Sequence, residues 1–402
     1  MHLLPRSVTL GLVIILVAGL SACSSPSSQE SSTEPEIVQA DTASSITVWL
    51  DERTAEGAAS IADQFVADSG IEVKFRIVSD LVLELQASSE ADAIDVLIAP
   101  HALQPQLLAG GLIQALPSNL KLERFLAGAA SAFNIDGVQY GVPLSHENIA
   151  LACSSKGLPA APKTFPELVD AGLVISMNDG GGDPYHLFPI QSSFGAKIFQ
   201  PAQSGSGEPE LVMGSQQGLA FATWLGANAE LFDLANNTET AKNQLSAADK
   251  ACWMTGPWNS AWFDSEFGED GWNAFPVPAV GPEPAAVFLE VIGAMVSSRS
   301  QNFDAAADFV LQYLGSEAGQ VAIFNSTGFP PSNLAALEMI SNYKVPYQFG
   351  MAGMSGSPTP SNAEMDAVWY PWSQAQVGII AGVDDPEGAW LEMVDQIKSA
   401  IN

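Results

Sequence analysis

The sequence predicts an α/β protein of two lobes joined by three chain crossings, and three observations predict it. Strand and helix patterns alternate along the first folded stretch. The folded part holds about 355 residues, more than one compact core usually accommodates. Three later stretches change texture as expected of a chain passing from one lobe to another.

The elements justify this in order. Residues 46–50 (ITVWL) read as a buried strand, and over 54–69 Ala58, Ile61, Ala62, Phe65 and Val66 recur at helical spacing. Residues 71–78 (IEVKFRIV) alternate as a strand, 94–99 (IDVLIA) form another short apolar run, and 103–109 read as helix. This rhythm predicts a largely parallel, doubly wound sheet with helices on both faces. Near Gly137 the run DGVQYGVPLSHENIALACSS holds a turn, a strand, a polar patch and a second strand without a helix, which gives the first crossing. Helical and strand segments continue over 164–258, and the long extended run at 287–298 (VFLEVIGAMVSS) is the expected return. Residues 303–313 and 317–324 read as helix, GFPPSN at 328–333 marks the third crossing, and 334–341 with 369–402 supply closing helices. The lobes then divide as 46–144 plus 288–332 and 145–287 plus 333–402.

Ahead of the folded part, residues 1–22 carry Arg6, an apolar run and a small-residue stretch, the pattern of an export signal. That run falls short of the roughly 20 apolar residues of a membrane span. Leu20-Ser21-Ala22-Cys23 resembles a bacterial lipobox, so Cys23 is expected to carry lipid and to become the first mature residue; an ordinary secretory peptide is the alternative. Residues 23–45 are Ser-rich and nearly free of large apolar groups, the composition of a flexible linker.

With Lys+Arg 14 against Asp+Glu 45, the charge balance argues against nucleic acid and anionic lipid surfaces as partners. If lipid takes Cys23, Cys153 and Cys252 remain as an even pair in an oxidising exterior. Both lie in short apolar runs, and a disulfide between them is expected, with two buried free thiols as the other possibility.

Four segments carry a family resemblance: ITVWLDER with FVADSGIEVKF after it, DGVQYGVPLSHENIAL, CWMTGPW and MDAVWYPWSQA, in order and at similar spacing over 46–402. Together they resemble the maltose and maltodextrin-binding branch of the extracellular solute-binding proteins of ABC importers. The resemblance implies a periplasmic-binding-protein-like fold of type II, two doubly wound lobes joined by three hinge crossings, with sugar held between lobes that close on it. It implies an oligosaccharide ligand, the permease subunits of an ABC transporter as partner, and a monomer on the extracytoplasmic face of the cell membrane, attached through its lipid. It calls for no cofactor, no metal and no catalytic residue. Pyranose rings have apolar faces and a belt of hydroxyls, so such a site needs flat aromatic surfaces with carboxylates, amides or guanidinium groups beside them.

Residue by residue, Asp51, Glu52 and Arg53 match the family's polar turn after the first strand, although Asp51 also suits a helix cap. His101 follows the third strand, where the family usually places an aromatic and an acid; Ala99 and Ala102 stand there instead. Glu147 matches a hinge-side acid, with a hinge salt bridge as its alternative. Asp183, Pro184 and Tyr185 match an acid-Pro-Tyr element at the cleft edge. Trp258 matches a tryptophan that stacks on a sugar ring, and Trp369 with Tyr370 a tandem aromatic pair. Ser373 replaces a basic residue that sugar-specific members carry one turn later. Trp49, Trp224, Trp253, Trp262, Trp272 and Trp390 are assigned to the core.

Two rival chemistries draw on the same residues. Glu147 and Asp183 are the carboxylates a secreted glycosidase would pair. His101, His146 and His186 with Glu147 and Asp183 are the donors a transition-metal carrier would use, although no close pair shows ligand spacing. A different sugar is a third alternative.

Overall fold

A computed structural model describes residues 45–89, 92–118, 120–177, 181–200, 209–382 and 385–401. The expected signal, Cys23 and nearly all of the linker lie outside the described residues. The first sheet is built around the strand Ser45–Leu50, which pairs in parallel with Glu72–Ile77 on one side and Val96–Pro100 on the other. Phe288–Val296 runs antiparallel to Val96–Pro100 and to Gly141–Glu147, and its first two residues pair in parallel with Ser357–Pro358. A second sheet has the order Trp272–Phe275, Ala150–Ser154, Cys252–Thr255, Leu173–Ile175.

Alternation along the first strand feeds two cores. Ile46, Val48 and Leu50 pack with Ala58, Ile61 and Phe65 of the helix Glu52–Ser69, while Trp49, Leu97 and Ala99 join the core on the other face. The sheets are mixed rather than largely parallel. The reason is the return of the chain: Phe288–Val296 comes back into the first sheet from the second, and so enters it head to tail with Val96–Pro100. The chain leaves the first sheet at Glu147 and enters the second at Ala150, with only two residues between. After the helix Glu317–Thr327, Pro331 bridges to Ser145 and the chain departs again through the helix Leu334–Met339.

Trp49, Trp253, Trp272 and Trp390 are fully buried as assigned, and Trp224 and Trp262 are partly buried against the cores. Cys153 and Cys252 stand directly opposite on paired antiparallel strands, with their sulfurs at bonding distance.

Candidate functional site

The site gathers where Gly141–Glu147 and Phe288–Val296 pair, close to the passage between the two sheets. Their register sets Glu147 opposite Glu290. Opposed residues of an antiparallel pair present their side chains on one face, about 5 Å apart at Cβ. Both are half-buried. Burial lifts the Glu147 carboxyl above the ordinary range; Glu290 adds to the lift and Arg53 opposes it. Glu290 accepts a hydrogen bond from the Thr359 hydroxyl at 2.5 Å.

Arg53 comes from the first turn of the helix Glu52–Ser69. Asp51 is the cap of that helix: its Oδ1 accepts from the Thr54 N–H and hydroxyl, both at 2.9 Å, and its Oδ2 meets Arg53 Nη2 at 3.1 Å. The guanidinium lies 5.5 Å from the centre of the Phe329 ring, so it spans from the first helix to the third passage of the chain. Glu52 is exposed in the same turn, where its charge suits the helix N-terminus.

On the other side the helix Pro184–Ser193 begins at Asp183, whose Oδ1 accepts the His186 N–H at 3.1 Å and whose Oδ2 meets His186 Nδ1 at 2.7 Å. At 4% exposure, Asp183 is occupied as a cap and as the partner of His186. The Tyr185 hydroxyl is pushed up by burial first, then by the charges of Glu290, Glu147 and Asp183. The hydroxyl therefore keeps its proton in the field of these carboxylates.

Aromatic rings continue from there in both directions. Trp369 meets Phe288 at 6.1 Å between centroids, Phe288 meets Tyr185 at 5.7 Å, Tyr185 meets His186 at 5.7 Å, and His186 meets Trp258 at 6.3 Å. Phe188 stacks beneath Phe288 at 3.7 Å and holds the middle of the run rigid. Trp258 keeps 53% of its surface exposed, which leaves one end of the run open to solvent. Its ring lies across Gly256, where an added Cβ would come within 2.0 Å of it.

Of the expected residues, the structure brings together Arg53, Glu147, Tyr185, Trp258 and Trp369, with Asp51 and Asp183 holding their neighbours. His101 is placed differently. It is 1% exposed, its Nδ1 accepts from the Val291 N–H at 3.2 Å and its Nε2 donates to the Thr359 carbonyl at 2.9 Å. Both nitrogens are used to pin main chain beneath the site, so none is left for a ligand. Tyr370 is 74% exposed and makes no ring contact with the run among the described residues, because successive helical positions diverge around the axis. Ser373 donates to the Gly182 carbonyl at 3.1 Å, and main chain of Ser373 fills the place of a Gly182 Cβ, so this position ties two segments together. No group of three or more His, Cys, Asp or Glu able to hold an ion occurs among the described residues.

Sequence reading missed Glu290, Phe288 and Thr359. The signal for the first two was present, since the alternating run FLEVI sets Phe288 and Glu290 on one strand face. Their register against Glu147 was not.

A family model described as bacterial extracellular solute-binding protein matches residues 60–347. The maltodextrin-binding protein MdxE of Bacillus subtilis (strain 168) is 24% identical, over 100% of this chain and 99% of its own length. A galactooligosaccharide-binding protein of the same organism is 22% identical over 89% of this chain and 90% of its own. Among solved structures, a cyclo/maltodextrin-binding protein complexed with maltotetraose superimposes with a TM-score of 0.78 at 23% identity, covering 90% of this chain and 99% of that one. This last likeness fixes the fold as periplasmic-binding-protein-like.

Proposed function

We propose a function on one premise: the chain belongs to the family of bacterial extracellular solute-binding proteins. It captures a maltodextrin-like oligosaccharide between two lobes, one on each sheet, and presents it to the permease of an ABC importer. The lobes comprise 46–144 plus 288–332 and 145–287 plus 333–402, with Cys23 as the lipid-bearing anchor residue. The observation that carries this reading is the run of rings from Trp369 to Trp258 beside the Glu147 and Glu290 carboxylates. Rings cover the apolar faces of a pyranose, while carboxylates, Arg53 and the Tyr185 hydroxyl meet its hydroxyls. The names of both Bacillus relatives point to the same ligand class.

The work done is binding, with no bond made or broken in the sugar. Arg53 comes from the first sheet's helix, Tyr185 and Trp258 from elements around the second, and Glu147 from the strand between. A ligand touching all of them favours the closed form over the open one in proportion to that difference in contact. Thermal unfolding of the purified protein against a panel of saccharides and divalent metals tests the reading. An α-linked glucan at a hundred times its dissociation constant should stabilise by about 2.7 kcal/mol. Stabilisation by metal alone, or recovery of the glucan in hydrolysed form, would replace this function with one of its rivals.

A further inference from the structure

Charge is out of balance at one place in the site. Glu147 and Glu290 face each other across paired strands, and both are half-buried. Among the described residues neither carboxylate lies within ion-pairing distance of a Lys, Arg or His. Arg53 acts on Glu147 from farther off, and its guanidinium already meets Asp51 at 3.1 Å. His186 is likewise taken, by Asp183 at 2.7 Å. Glu290 Oε1 accepts from the Thr359 hydroxyl at 2.5 Å, whereas Glu290 Oε2 and both oxygens of Glu147 accept no hydrogen bond from another described residue. Two like charges withdrawn from water and left without a cation repel each other.

A sugar hydroxyl answers this poorly. It has one proton to donate, so it reaches one carboxylate and leaves the excess charge in place. A primary ammonium carries three donors and a positive charge, so it can bond both carboxylates at once and cancel their repulsion. A bare metal ion would need more ligands than the pair supplies, and no third His, Cys, Asp or Glu joins it among the described residues. The carboxylates do not mark a site alone. Phe288 stands two residues from Glu290 on the same strand face, and its ring meets that of Tyr185 at 5.7 Å, so the pair lies against the run of rings that suits a saccharide.

We infer that the saccharide held here carries a primary amine, seated between Glu147 and Glu290. The inference rests on the sugar-binding reading and narrows its ligand class to amino sugars. The test measures, by titration calorimetry at neutral pH, the affinity of the purified protein for maltotriose and for maltotrioses in which a single primary amine replaces one hydroxyl, each position in turn. At least one amine should bind about ten-fold tighter than maltotriose or better, the margin of charge-assisted over neutral hydrogen bonds. In Glu290→Gln and in Glu147→Gln, where one of the two charges is gone, that advantage should shrink several-fold, with an unfolding transition to show that each variant is folded. If no amine gains that margin over maltotriose, or if the advantage is undiminished in both variants, the amine is overturned and the sugar reading stands. Failure of the folded protein to bind maltotriose or any of the amines would overturn the sugar reading, and the amine with it.

Discussion

Glu147 and Glu290 show how one residue's chemistry is set by what faces it. A carboxylate that accepts sugar hydroxyls works best ionised, yet burial and the like charge of the facing Glu290 raise the Glu147 pKa above its ordinary 4.5. Affinity should therefore rise with pH through that raised value and fall on acidification sooner than ordinary carboxylates would allow. Binding titrations across pH should show this, with Glu147→Gln flattening the profile and Glu290→Gln moving it to lower pH. An unchanged profile in both variants would remove the pair from the site. The aromatic residues make a second prediction at this scale. Trp258→Ala and Trp369→Ala should each weaken glucan binding about ten-fold, with an unfolding transition that shows the fold intact. Asp51 and Asp183 illustrate the limit of reading single residues. Each was expected to touch ligand, and each also has the local sequence of a helix cap; the structure places both as caps.

Among the elements, the short turn Pro257–Asn259 depends on the glycine before it. Gly256 has an ordinary extended backbone, so its lack of a side chain matters through space alone: a Cβ would sit within the Trp258 ring. Gly256→Ala should displace the indole and reduce glucan affinity by an amount close to that of Trp258→Ala, which calorimetry on the two variants would compare. The strands Ala150–Ser154 and Cys252–Thr255 carry another expectation, a disulfide across the second sheet. Thiol labelling of the unreduced, unfolded protein should leave Cys153 and Cys252 unmodified. A link closing a loop of 99 residues should contribute roughly 2–5 kcal/mol, visible as a lower denaturant midpoint after reduction. Labelling of both thiols would mean that they pack as free cysteines.

For the whole molecule, stability should depend on the passage between the sheets. His146 lies buried in the strand that leaves the first sheet, and burial lowers its pKa from 6.5 to about 4, with a small opposing effect from the main chain at Gly350. The unfolded chain then binds a proton at a pH where the folded chain does not. Its contribution is complete above pH 6.5 and is lost as the pH falls toward 4, by about 3 kcal/mol in all. Urea unfolding at pH 7 and at pH 4.5 should show the loss, and His146→Gln should remove that part of it. If the variant kept the same pH dependence, the buried imidazole would not be its source.

The sequence by itself determined the α/β class, the burial of Trp49, Trp253, Trp272 and Trp390 though not of Trp372, and most of the strands and helices, because hydrophobic periodicity is a local property and Ile46, Val48 and Leu50 announce a buried strand. The family resemblance also named Arg53, Glu147, Tyr185, Trp258 and Trp369 among its expected site residues. The tertiary structure alone decided which distant residues meet them. Register across Gly141–Glu147 and Phe288–Val296 set Glu290 against Glu147, the return of the chain made the sheets mixed, and burial against Val291 and Thr359 took His101 out of reach of a ligand. Strand pairing and burial depend on residues far apart in the chain, and no local pattern around His101 records that its two nitrogens are already taken.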